Sequence, residues 1–184
     1  MRRSNISIIF VIFLASTVVQ AGAFTLSSPT IKPDSFLTEE QVFDGFGCTG
    51  KNQSPALKWE AIPQGTKSFA ITVYDPDAPT GSGWWHWVVY NIPANVTGIA
   101  AGAGEPTGRR LPPGAVQGRT DYGTHAFGGA CPPQGDKPHR YIFTVYALKI
   151  EKMEVSPDAS AALIGFMINT NALGKASFTA RFGR

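Results

Sequence analysis

The sequence predicts a mainly β fold, and three observations carry that prediction. Ser68–Tyr74, Trp85–Ile92 and His139–Leu148 are dense in β-branched and aromatic residues, the composition of a pleated, half-buried surface. Glycine and proline, 20 and 14 of the 184 residues, punctuate the chain at short intervals and leave little room for long helices. Against these runs, a single stretch beginning at Ser156 reads as a convincing helix.

The N-terminus comes first. Arg2 and Arg3 precede an apolar run from Ile6 to Val19, and Ala21-Gly22-Ala23 follows as a small-x-small cleavage pattern. The run is shorter than the roughly 20 residues that a membrane span requires. Residues 1–23 therefore read as a secretory signal peptide, and the expected location is periplasmic or secreted. Cleavage leaves residues 24–184, 161 residues (184 − 23), enough for one domain with its own core. It also removes two of 16 basic residues and none of 13 acidic ones, so the formal charge falls to +1 (14 − 13). No Lys/Arg cluster remains to favour nucleic acid or an anionic membrane.

Cys48 and Cys131 remain, and an even count in an oxidising compartment favours a disulfide over two buried thiols. Pro55–Trp59 and Ala176–Phe182 are shorter strand candidates. Both faces of His139–Leu148 are largely apolar, as expected of an inner strand in a sandwich or a covered sheet. In the helix, Ser156 is the expected N-cap and Pro157 the first helical residue, with Ala161, Ala162, Leu163, Ile164, Phe166, Met167 and Ile168 supplying the apolar face and Gly174 as the stop. The Gly- and Pro-rich segment 98–124 reads as a long loop, a length usually tied to function.

The chemistry concentrates between Tyr74 and Asn91. Asp75-Pro76-Asp77-Ala78-Pro79 cannot be helical, because proline lacks its N–H and disfavours the α region for its predecessor. At least one of the Asp75–Pro76 and Ala78–Pro79 bonds is predicted to be cis. Strict alternation sends Trp84, His86 and Val88 to one face of the following strand and Trp85 and Trp87 to the other. His139, Tyr141 and Phe143 share a face of a second strand, downstream of the stiff Gly128–Gly135 loop. Two imidazoles, a phenol, aromatic walls and that loop compose a small anion site, with Asp75 positioned to orient one imidazole and hold it protonated. A cationic imidazole as the binder predicts affinity that falls as pH rises past about 6.5.

Rival chemistries fit less well. Ser82, His86 and Asp75 could form a hydrolytic triad, but Ser82 lies between two glycines and no Gly-x-Ser-x-Gly elbow exists. His86, His125, His139 and Asp75 contain no close-spaced metal-ligand pair. No glycine-rich segment continues into Lys-Ser/Thr, so no phosphate loop is read and no cofactor is expected.

Tyr-Asp-Pro-Asp-Ala-Pro at 74–79 with Trp84 and His86, and Cys-Pro-Pro-x-Gly-x-x-Pro-His-Arg-Tyr at 131–141, resemble the two signature boxes of the phosphatidylethanolamine-binding protein (PEBP) family. Phe46-Gly47-Cys48, Ser54–Trp59 and Thr80–Trp87 are similar to its bacterial Raf-kinase-inhibitor-like branch, the YbhB/YbcL type. The resemblance spans roughly residues 25–182. It implies a large antiparallel sheet packed on a smaller one with few helices. It also implies a pocket for phosphate-like anions or phospholipid headgroups, lined by Asp75, Trp84, His86, Pro132, His139 and Tyr141 with Asp77 adjacent. Cys131 stands where eukaryotic members carry glycine, which fits a Cys48–Cys131 bridge at the rim. The chain ends soon after its last strand, so the C-terminal helix that borders the pocket in mammalian members is expected to be absent and the site more open. A homodimer is a further suggestion of the bacterial branch, and the kinase partners of eukaryotic members do not carry over.

Three function classes follow. The first is a non-enzymatic binding protein for an anionic small molecule or phospholipid headgroup. The second is an enzyme using Asp75 with His86 or His139 as an acid–base pair. The third is an interaction module that inhibits a protease, a kinase or another protein partner.

Overall fold

The computed structural model describes residues 22–156 and 158–184. All but the last two residues of the signal peptide read at 1–23, and the first-turn role of Pro157, lie outside the described residues.

Alternating apolar runs become strands, as their composition requires. In chain order they are β1 (Thr25–Ser27), β2 (Asp44–Gly45), β3 (Cys48–Thr49), β4 (Leu57–Glu60), β5 (Ser68–Asp75), β6 (Trp84–Pro93), β7 (Gly98–Ile99), β8 (Val116–Gln117), β9 (His139–Leu148) and β10 (Ala172–Phe182), with α1 (Ala161–Asn171) between the last two. Five strands form the large sheet, in the order β10-β9-β5-β6-β8, and each neighbouring pair is antiparallel. A small sheet, β1-β4-β7, covers one face of it, and β2-β3 forms a separate hairpin. Leu57 and Trp59 of the small sheet meet Phe69, Ile71, Val73, Phe143, Val145 and Phe178 of the large one in the main core. On the opposite face, Ile164 and Ile168 of α1 pack with Ala70, Val88, Tyr146 and Leu148. The large sheet is therefore covered on both sides, which is why β5 and β9 show no polar face.

Two irregularities depart from the sequence reading. Tyr74 pairs with Trp85 while Val73 pairs with Trp87, leaving His86 as an extra residue on β6. This bulge breaks strict alternation. Trp84 and His86 stay on one side as expected, but Val88 joins the α1 face beside Trp85, and Trp87 enters the main core. The second irregularity is at the helix. Its N-cap is Ser160, whose hydroxyl accepts from the Leu163 N–H at 3.2 Å, and Ser156 instead closes the preceding turn by accepting from Asp158 and Ala159. Gly174 does not stop the helix. Pairing with β9 captures the chain at Ala172, and Gly174 sits inside β10 at a register shift.

Segment 98–124 is more ordered than its composition suggests. It contributes β7 and β8, and Ser54 fixes its first turn by accepting from the N–H groups of Gly102 and Gly104.

Candidate functional site

β5 lies between β6 and β9, and antiparallel pairing brings the end of β5 beside the starts of both neighbours. That topology places Asp75 opposite Trp84 and brings His86, His139 and Tyr141 to the same sheet end. Together with Pro132 they line a cavity of about 160 Å³. This is well below the roughly 300 Å³ where drug-sized pockets begin, and it suits a small oxyanion.

The hydrogen bonds give each group a role. Asp75 uses both carboxylate oxygens: Oδ2 accepts from His139 Nδ1 at 2.8 Å, and Oδ1 accepts from the Asp77 N–H at 2.8 Å. The imidazole that Asp75 orients is thus His139, whose Nε2 reaches Asp136 at 3.4 Å. The second contact closes the turn across Asp75–Asp77 with trans peptides, and both proline bonds expected to include a cis form are trans. A short side-chain-to-backbone bond does here what a cis proline would otherwise do.

His86 differs from the cationic binder expected of it. Its Nδ1 faces the carbonyls of Gly128 at 2.7 Å and Gly129 at 3.2 Å, so Nδ1 carries the proton and donates. Burial pushes the imidazolium down, against the pull of those carbonyls and of Asp75. The ring is therefore neutral at pH 7, and Nε2 is a lone-pair acceptor. Nε2, the Tyr141 hydroxyl and Trp84 Nε1 are all buried without a protein partner. Burial also pushes the Tyr141 and Tyr122 phenols up, so both stay neutral hydroxyls.

Asp77 lies outside the cavity lining. Its carboxylate grips Arg140, accepting from Nε at 2.9 Å, Nη2 at 2.7 Å and the backbone N–H at 2.8 Å. The guanidinium holds this carboxyl down at about 2. Asp77 thus ties the first signature box to the second, and it borders a neighbouring open groove with Asp136 and Arg140. His125 and Ser82 also lie elsewhere: each lines a different groove from the one containing His86. The triad and the three-histidine cluster weighed from sequence are not assembled.

Cys48 and Cys131 form a disulfide with Cα atoms 6.0 Å apart, and Cys131 is part of the cavity wall. Arg184 adds a second tie between the same loops, donating from Nε to the Pro132 carbonyl at 2.7 Å and from Nη1 to the Gly47 carbonyl at 3.0 Å.

Sequence reasoning missed Tyr122. Its ring lines the cavity edge-on to His86 at 5.5 Å, and its hydroxyl donates to the Gly129 carbonyl at 2.7 Å. The signal was indirect: Gly128 must lack a side chain, because a Cβ there would overlap the Tyr122 ring.

Comparison with known proteins agrees with this fold. The chain is 59% identical over 160 residues to Escherichia coli YbcL, covering 87% of each chain. It is 48% identical over 157 residues to E. coli YbhB, covering 85% of this chain and 98% of that one. The crystal structure of E. coli YbcL, described as a member of the mammalian PEBP family, superposes with a TM-score of 0.86 at 56% identity, covering 88% of this chain and 98% of that one. The phosphatidylethanolamine-binding protein family model matches residues 27–183, and the chain belongs to that family.

Proposed function

We propose that this chain is an exported binding protein whose cavity holds a small phosphate-like anion, free or as a phospholipid headgroup. One observation carries the reading. Three buried polar atoms without protein partners, His86 Nε2, the Tyr141 hydroxyl and Trp84 Nε1, belong to residues that line one small cavity. Leaving such groups unpaired costs about 1–3 kcal/mol each, and a ligand with matching oxygens removes that cost. The name of the family supplies the headgroup as a candidate source of the anion. The disulfide supports export, since such bonds persist in oxidising compartments.

Binding is favoured over the acid–base reading because Asp75 is engaged with His139 and with the Asp77 N–H, which leaves the His86 ring without the carboxylate partner that reading requires. Thr80 donates its hydroxyl to the Gly83 carbonyl, Cys131 is bridged, and both oxygens of Asp75 accept hydrogen bonds. An acid–base pair needs a free partner for a substrate proton. NMR titration with phosphate and phosphoethanolamine tests the reading: the ring signals of His86 and His139 should shift, and silence from both would end it.

A further inference from the structure

We propose that the cavity selects the singly protonated form of a terminal phosphoryl group, a phosphate monoester carrying one P–O–H, over both its dianion and a phosphodiester. This rests on the anion-binding reading above and narrows it to a ligand class.

The cavity asks for both kinds of partner. Trp84 Nε1 can only donate, and the Tyr141 hydroxyl donates readily to an oxyanion. His86 is committed the other way. The Gly128 and Gly129 carbonyls take its Nδ1 proton, so the buried Nε2 needs a donor from the ligand. A P–O–H group supplies that donor, and the remaining phosphoryl oxygens accept from Trp84 and Tyr141. A phosphodiester has no O–H and leaves Nε2 unpaired unless the ring takes up a proton, which burial opposes.

Charge points the same way. Among the described residues no lysine or arginine lines the cavity, whereas Asp75 does. The titratable groups acting on His86 are Asp75 and Asp121, with the Tyr122 and Tyr141 phenols edge-on to its ring and His139 and Asp136 beyond Asp75. A second negative charge on the ligand would meet Asp75, and the basic side chain nearest that carboxylate, His139, is already hydrogen-bonded to it at 2.8 Å.

The test uses wild-type protein with ¹⁵N-labelled histidine, methyl phosphate as monoester and dimethyl phosphate as diester. At pH 6 methyl phosphate should bind about tenfold or more tightly than dimethyl phosphate, the usual consequence of leaving a buried acceptor unpaired. Its affinity should fall about tenfold per pH unit above the second phosphate ionisation near pH 6. A protonated histidine holding a dianion would give the same pH slope, so the ¹⁵N shift of His86 Nε2 locates the proton. At saturation it should remain in the unprotonated range. An imidazolium shift, equal affinity for the two esters, or a flat profile from pH 6 to 8 would each overturn the inference while leaving an anion pocket in place. No response to either ester overturns the pocket itself. Dihexanoyl phosphatidic acid, a monoester lipid, should outbind dihexanoyl phosphatidylethanolamine, a diester. Its affinity relative to methyl phosphate then separates a lipid from a soluble source, and equal binding of the two lipids counts against the inference.

Discussion

Opening the Cys48–Cys131 bridge should lower stability far more than it loosens the cavity. The two cysteines are 83 positions apart. Chain entropy for a loop of that length gives about 4–5 kcal/mol, and native disulfides more often measure about 2–4 kcal/mol. In a domain of this size each kcal/mol moves the melting temperature by about 2–4 °C, so reduction should lower it by roughly 5–15 °C. Binding behaves differently because the rim has two ties. Arg184 holds the Pro132 carbonyl on one side and the Gly47 carbonyl on the other, and its own carbonyl accepts from the Gly135 N–H at 3.0 Å. Either tie alone keeps Pro132 near its place. Reduction of wild type, and Arg184→Ala in the oxidised protein, should each weaken phosphate binding by less than about threefold. Together they should weaken it by clearly more than the product, as contacting groups do when one support backs up another. Thermal melts and calorimetric titrations of both proteins, with and without reductant, supply the four corners of the cycle. A melting shift under about 2 °C, or simple additivity in binding, would refute the two-tie account. Two free thiols per chain in denatured, unreduced protein would remove its premise.

Three further perturbations separate roles within the site. Tyr141→Phe deletes a buried hydroxyl with no protein partner, so the melting temperature should hold or rise slightly while phosphate affinity falls roughly five- to tenfold by titration. Asp77→Asn breaks the grip on Arg140. The Asp77 carboxyl sits at about 2 against an ordinary 3.8, so its contribution is present above about pH 4 and is lost as pH falls through about 2. With solvent screening it is worth about 1 kcal/mol at pH 7, and urea midpoints of wild type and variant should converge between about pH 4 and pH 2. Phosphate affinity at pH 7 should barely change, because Asp77 does not line the cavity. Gly128→Ala puts a methyl group where the Tyr122 ring lies, and should cost about 1–3 kcal/mol in chemical denaturation while weakening phosphate binding.

Much of this architecture was legible in residue patterns. β9 runs from His139 to Leu148 as its composition requires, and Asp75, Trp84, His86, Pro132, His139 and Tyr141 all reach the cavity wall. What escaped depends on register or on distant partners. The bulge at His86 has no glycine to announce it, and its consequence, Val88 turning to the α1 face, follows from pairing with β5. Asp77 sits beside Asp75 in sequence, yet Arg140 claims it from a strand that only sheet order brings near. Two serines four positions apart could each cap the helix. Ser160 does so, and Ser156 is spent on closing the turn before the helix. Tyr122 lines the cavity with its ring against Gly128, a contact that no local periodicity encodes.

The supports and the unpaired groups belong to one design problem. A cavity wall that leaves a lone pair, a hydroxyl and an indole N–H without protein partners carries an unfavourable contribution of about 1–3 kcal/mol for each that stays unpaired. A soft wall would remove that cost by collapsing, or by turning the groups towards one another. The wall is instead held from behind. Two carbonyls fix His86, Asp75 fixes His139, Asp77 and Arg140 join the two loops that carry them, and the disulfide with Arg184 pins the opposite rim. On the binding function proposed above, the favourable energy of those ties offsets the unfavourable state of the cavity and holds the wall ready for an anion. Ligand selectivity then rests on matching fixed donors and acceptors, where a single missing O–H is felt in full.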